Sequence, residues 1–207
     1  MTTTILQGVV GSQAQGFAGP DSDTDRGRIV LTPVLDLLWD GDTKTVQHHD
    51  PDVWEMELRT FIRLAMKSNP TVLELLFLPT HEVVHPAGAL LLNIRESFLY
   101  TEGIYNACKG SARVQFESKH DPKHRRHALR HLLQGIQAMR TGTIIVNPIG
   151  WHAAITEAVV DEEKYKEFYN VLNLQIDSTK AISVLPSKPN QFVIRDTFNT
   201  IRDRWGA

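Results

Sequence analysis

Cysteine is nearly missing from this sequence. Cys108 stands alone among 207 residues, so an intramolecular disulfide is excluded and a reducing, cytoplasmic setting is expected. Such a residue is expected to serve as a small buried hydrophobe. Long apolar runs are missing too. None approaches the ~20 residues that span a bilayer, and no membrane partner is expected. The opening MTTTILQGVVGS has no basic segment ahead of its apolar residues, and it reads as a strand rather than an export signal. Charge of one sign is also lacking. Lys and Arg number 22 against 24 Asp and Glu, a formal net charge of -2. No global field therefore draws the chain toward nucleic acid, and any basic surface must be local. Repeats and low-complexity tracts are absent. A cysteine cluster and a His-Glu-x-x-His motif are absent as well, which leaves His127 and His131 without the partners of a zinc site.

What is present is an ordinary globular composition, 42% hydrophobic. That is enough for one large domain or two small ones sharing a core. ILQGVVGS reads as a first strand running into a Gly-Ser turn. QAQGFAGPDS, with Gly16, Gly19 and Pro20, is loop or a short helix with loop. DTDRGRIVLTPV is β-prone from Ile29 and forms the second strand. DLLWDGDTKTVQHHDP reads as a hairpin, with Asp40, Gly41 and Asp42 as its turn and KTVQHHD as the third strand. The period then changes. DVWEMELRTFIRLAMKS places Val53, Met56, Leu58, Phe61, Ile62, Leu64 and Ala65 near one helical face, with Asp52 as N-cap. Asn69-Pro70 opens the next helix and Pro79 closes it. PAGALLLNIRESFLYTEGIYNACKGSARVQFE reads as two helices broken near Gly103.

DPKHRRHALRHLLQGIQAMRTGT is the clearest helix, with Asp121 as cap, Pro122 as first residue and Gly142 as stop. IIVNP is a short extended segment and DEEKYKEFYNVLNLQIDSTKAIS another helix. QFVIRDTFNTIRDRW closes the sequence with Phe198, Ile201 and Trp205 on one face. The fold class is α+β: a small mixed sheet flanked by helices, then a mostly helical C-terminal part.

The chemistry concentrates in GSQAQGFAGPDSDTD. In a strand, residues i and i+2 point to the same side, so Asp23 and Asp25 project together. Two anions so placed cost free energy unless neutralised, and such oxygen ligands suit Mg2+ with water and phosphate oxygens completing its shell. Gly11 lets backbone N–H groups approach an anion, and the Ser12 hydroxyl adds a donor. A phosphate cradle and a carboxylate pair in one β-turn-β unit imply a metal-bound nucleoside triphosphate. A turn with solvated acids is the plain alternative, since DSDTD is common loop chemistry.

A second polar feature lies in KHRRHALRHLLQG. Lys123, His127 and Arg130 fall at 0, +4 and +7 on one helical stripe, extended by His131 and Gln134. The apolar face carries Leu129, Leu132, Leu133, Ile136 and Met139. Three potential cations can meet a triphosphate or an acceptor backbone, while a solvated basic face is the plain alternative. Arg125 and Arg126 point elsewhere, as surface or acceptor contacts. Glu74, alone in the apolar VLELLF, reads as a partner of Arg59 or a nearby lysine. Tyr100, Tyr105 and Lys109 read as pocket lining or as core. His48, His49, His81 and His85 have no partners that define a site.

GSQAQGFAGPDSDTD resembles the Gly-Ser-x-Ala-x-Gly-x-Ala-x-Pro-x-Ser-Asp-x-Asp signature of the DNA polymerase β-like nucleotidyltransferases. Within them it is similar to a bacterial and phage branch with RNA-repair-associated members. DVWEMELRTFIRLAMKSNPTVLELLF and KHRRHALRHLLQGIQAMRTGTIIV continue the likeness, so it covers roughly residues 5–146 in matching order and spacing.

The resemblance implies that Gly11 and Ser12 hold a triphosphate, with Lys123, His127 and Arg130 as further nucleotide contacts. It also implies that Asp23 and Asp25 are the first two metal ligands. A third carboxylate falls at Asp52, with Asp50 as rival, and two Mg2+ or Mn2+ ions are expected per site. One departure is the Arg26-Gly27 pair, which follows Asp25 directly where relatives insert one more residue. Arg28 takes a position that is apolar in relatives, and Gly27 is expected to mark a bulge.

On this reading residues 1–98 form a catalytic domain. Residues 99–207 form a helical region packed on it that completes the nucleotide and acceptor site. The implied activity is transfer of an NMP from an NTP to an acceptor hydroxyl, with release of pyrophosphate. RNA or tRNA ends, a protein or a small molecule are all open as acceptor, and the oligomeric state is open as well. A catalytically idle nucleotide-binding sensor or scaffold is the alternative.

Overall fold

The computed structural model describes residues 2–40, 46–49, 52–118 and 121–206. The first strand, β1 (Thr3–Val9), runs into a one-turn helix, α1 (Gly11–Gln15), and a loop returns to β2 (Arg26–Leu31). Helix α2 (Val34–Asp40) leads to β3 (Val46–His49) and β4 (Asp52–Glu57). After α3 (Leu58–Ala65), α4 (Pro70–Leu76), a short β5 (Glu82–Val83) and α5 (Pro86–Asn93), the described chain is helical. It continues through α6 (Thr101–Glu117), α7 (Pro122–Thr141), α8 (His152–Val160), α9 (Glu162–Ala181) and α10 (Gln191–Trp205). The sheet order is β3-β4-β2-β1-β5, with β2 and β4 parallel and the other neighbours antiparallel. This is the α+β architecture expected, a small mixed sheet followed by a mostly helical part.

One apolar cluster runs from Ile5 and Leu6 in β1 to Ile201 in α10, so sheet and helices share a core. The helix α7 packs on α6, α8 and α9, burying the predicted face of Leu129, Leu132, Leu133, Ile136 and Met139. Its ends are set locally. The Asp121 carboxylate accepts from His124 N at 2.9 Å, Pro122 occupies the first turn, and Gly142 stops the helix in a left-handed conformation. Cys108 is buried, and burial pushes its thiol up to about 12. No helix among the described residues is long and apolar enough to cross a membrane.

Several expectations are corrected. Asp52 is not a helix cap; it opens β4, and Glu57 caps α3 by accepting from Arg59 N. A strand between two neighbours buries residues without clean alternation, so its apolar positions can mimic a helical period. Val34–Asp40 is a helix rather than the first arm of a hairpin. The expected turn at 41–42 lies outside the described residues, although β3 forms as anticipated. The helix break falls at 94–100 rather than at Gly103, which lies inside α6. Helix α8 is not part of the sequence reading. Gly27 is in regular register, paired with Gly8 and Trp54; the irregularity sits between Thr4 and Leu6 in β1. A Cβ on Gly27 would lie 2.5 Å from the Trp54 ring, so close packing of the indole, not a bulge, requires glycine there. Arg28 is accommodated by its cross-strand neighbour, donating from Nε to Gln7 Oε1 at 2.9 Å.

Candidate active site

The parallel pairing of β2 with β4 assembles the acids. Its register begins at Arg26 opposite Val53, and the residues immediately before these are Asp25 and Asp52. The two carboxylates therefore meet at the mouth of two adjacent strands, although 27 positions separate them in the sequence. At this separation Asp52 disfavours ionisation of Asp25. Burial pushes the Asp25 pKa up first, and Asp52 and then Asp23 add to the rise, while the Lys123 ammonium opposes it. Asp23 and Asp25 lie in the segment leading into β2 rather than inside it. That segment is tied to the end of β1 by Val10 N donating to Asp25 O at 3.0 Å.

Gly11 closes the other side. Its φ is +69°, and a Cβ there would lie 2.5 Å from Asp25 Oδ2. Only glycine allows both the left-handed turn and the close approach of the carboxylate. The turn and the acids line one cavity of about 490 Å3 that contains Gly11, Ser12, Asp23, Asp25 and Asp52. Across it, α7 contributes Lys123, Arg126 and His127. The residues singled out in the sequence thus converge, with two exceptions. Asp50 lies outside the described residues, and Arg130 does not line this cavity.

The helix stripe differs from its sequence reading. His127 is not a cation at neutral pH: burial, followed by the charges of Arg130, Lys123 and Arg126, pulls its pKa down to about 4. His131 and Gln134 are buried rather than solvated, and burial holds the His131 pKa well below the usual histidine range. The second cation facing the cavity is Arg126, a residue outside the predicted stripe. Its guanidinium sits 5.2 Å from the centroid of Phe17, another lining residue. The signal available in the sequence was weak: Arg126 is three residues beyond Lys123 and shares its side of the helix.

Among the described residues no three His, Cys, Asp or Glu side chains form a ready-made metal cage. Mg2+ does not require one, since it takes one or two carboxylates and fills its shell with water and phosphate oxygens. The donor set suits such an ion: hard oxygens from Asp25 and Asp52, with Asp23 beside them.

A second cavity, of about 350 Å3, adjoins the first and shares Gly11, Gln15, Asp25 and His127 with it. Here Arg130 faces Glu74 at 3.4 Å. Glu74 therefore pairs with a helix far along the chain, not with Arg59 or a lysine. Tyr105 and Lys109 lie away from both cavities, bound to Asp177 on α9. His81 Nε2 meets Leu75 O at 2.8 Å, and His85 caps α5.

A mixed sheet that gathers acids from two parallel strands beside a Gly-Ser turn fits the polymerase β-like class. The chain belongs to the RNA repair pathway DNA polymerase beta family, RlaP, which it matches over residues 2–200. No curated protein and no solved structure matches it.

Proposed function

We propose that this protein is a Mg2+- or Mn2+-dependent nucleotidyltransferase that moves an NMP from an NTP to an acceptor hydroxyl and releases pyrophosphate. The observation that carries this reading is the convergence of Asp23, Asp25 and Asp52 with the Gly11-Ser12 turn and the α7 cations around one cavity. Asp23, Asp25 and Asp52 are the residues that would hold two divalent cations. Ions so held supply charge neutralisation at the phosphates and lower the pKa of an attacking hydroxyl. Ser12 Oγ, Lys123 and Arg126 bind the triphosphate oxygens, the two cations through charge-assisted hydrogen bonds. His127, neutral at pH 7, offers one N–H donor and one acceptor nitrogen. In-line displacement at phosphorus asks little covalent help of the protein, so orientation and charge placement account for most of the rate. The acids come from the 1–98 region and the cations from the 99–207 region, which makes the second region part of the site.

The family's description, an RNA repair pathway, favours RNA as acceptor. The test is incubation of the protein with each α-labelled NTP, Mg2+ or Mn2+, and a mixture of total RNA and protein. Label in RNA is the expected result, and label in protein or a small product would reassign the acceptor. Nucleotide binding with no labelled product under any combination would contradict transfer and favour the idle sensor.

A further inference from the structure

Glu74 is 3% exposed, on a helix buried at every position but Thr71. Its Oε1 accepts from the backbone N of Gly11 at 2.9 Å. Its Oε2 accepts from Gln15 Nε2 at 2.8 Å and faces Arg130 Nη1 at 3.4 Å. Gln15 is itself buried, and its carbonyl accepts from His152 Nε2 of α8 at 2.9 Å. One carboxylate therefore holds both the start and the finish of the Gly11–Gln15 segment. Three donors converge on it. A carboxylate is acceptor-only and can serve all three, whereas an amide would turn an NH2 against some of them.

The charge pair is costly as a stability device. Two ions removed from water in this way are often no more stable than apolar packing of the same volume, while loss of one partner is strongly destabilising. The Arg130 Nε also lacks a hydrogen-bond partner among the described residues, in a polar cavity with room for water. The geometry points instead to a role in placement. Arg130 lies one turn beyond Arg126 and two beyond Lys123 on α7, so its hold on Glu74 sets that helix against the Gly11-Ser12 turn. We propose that Glu74 and Arg130 are positioning residues that fix the distance between the glycine-serine turn and the cationic face of the nucleotide pocket. Arg130 acts through Glu74 and does not touch the triphosphate. This rests on the reading of Gly11-Ser12 as the triphosphate turn.

The test compares the wild-type protein with Glu74→Gln, Arg130→Met, Arg130→Lys and the Glu74→Gln/Arg130→Met double variant. Thermal midpoint, amide exchange at Gly11, and KM and kcat for NTP with Mg2+ are measured for each. Arg130→Met lowers the midpoint because it leaves the buried Glu74 charge without its counter-ion, and the double variant recovers most of that loss. The double variant nevertheless raises KM about tenfold, the scale of one lost charge-assisted hydrogen bond, and speeds exchange at Gly11. Arg130→Lys restores part of both. A stable double variant with wild-type KM and wild-type Gly11 exchange would overturn the proposal. Raised KM in Arg130→Met with Glu74→Gln unchanged would also overturn it and make Arg130 a direct contact. Failure of the wild-type protein to bind any NTP would instead overturn the nucleotidyltransferase reading. Exchange at Gly11, which needs no ligand, would still test the pair.

Discussion

Two polar cavities lie side by side in this protein, sharing Gly11, Gln15, Asp25 and His127 as a common wall. In one, acids face acids: Asp52 raises the Asp25 pKa, and Asp23 is close enough to raise it further. In the other, the acid Glu74 faces the guanidinium of Arg130 and two further donors. Asp23 is exposed and Asp25 and Asp52 are half-buried, whereas Glu74 and Arg130 are buried and neutralise each other. An arrangement that leaves like charges together is poor scaffolding and good preparation for a positive ligand. An arrangement that satisfies a carboxylate from three sides is good scaffolding. Substitutions in the two cavities should accordingly have opposite signatures.

The sharpest contrast is between Asp25→Asn and Arg130→Met. Asp25→Asn should cut transfer on the order of a thousandfold, the scale of several kcal/mol of transition-state charge, in single-turnover assays. Its thermal midpoint should hold or rise, because a mutual repulsion has been removed. Arg130→Met should instead cost about 3 kcal/mol of stability in denaturant titration, the scale of a broken buried pair. Equal loss of stability in the two variants would erase the distinction. Gly27→Ala, beneath Trp54 and next to the acids, should cost about 1–3 kcal/mol by overpacking, read by the same titration.

The shared wall has its own signature in pH. The His127 pKa falls from 6.5 to about 4 in the folded state. Between those values the unfolded chain binds the proton and the folded one does not, so this group's contribution to stability is complete above pH 6.5. It is lost progressively as pH falls toward 4. The thermal midpoint should decline across that window, and His127→Gln should flatten the decline. The smallest effect belongs to Lys109→Ala, which removes a half-exposed pair with Asp177 remote from both cavities. It should cost less than about 1 kcal/mol and leave transfer unchanged.

Much of this was legible because it is local. The caps of α7, its buried leucines and the Gly-Ser turn followed by Asp23 and Asp25 are all stated by residues close in sequence. The rest depends on pairing between distant segments. Asp52 is legible as a residue but not as part of a strand, because β4 is buried beside β2 and its spacing imitates a helix. Spacing does not match Glu74 to Arg130 across 56 positions, and it favours the plainer neighbours Arg59 and the lysines. Arg126 is not legible as a site residue, because helical spacing fixes which residues share a face, not how wide a face the neighbouring loop exposes. The His127 charge state followed from burial, which spacing alone does not report.

The account stands most directly on calorimetric titration of Mg2+ with a nonhydrolysable NTP into the wild-type protein and Asp25→Asn. It predicts saturable binding to the wild-type protein that needs both metal and nucleotide and is lost in the variant. Binding of equal strength to both proteins, or none to the wild-type protein, would contradict it.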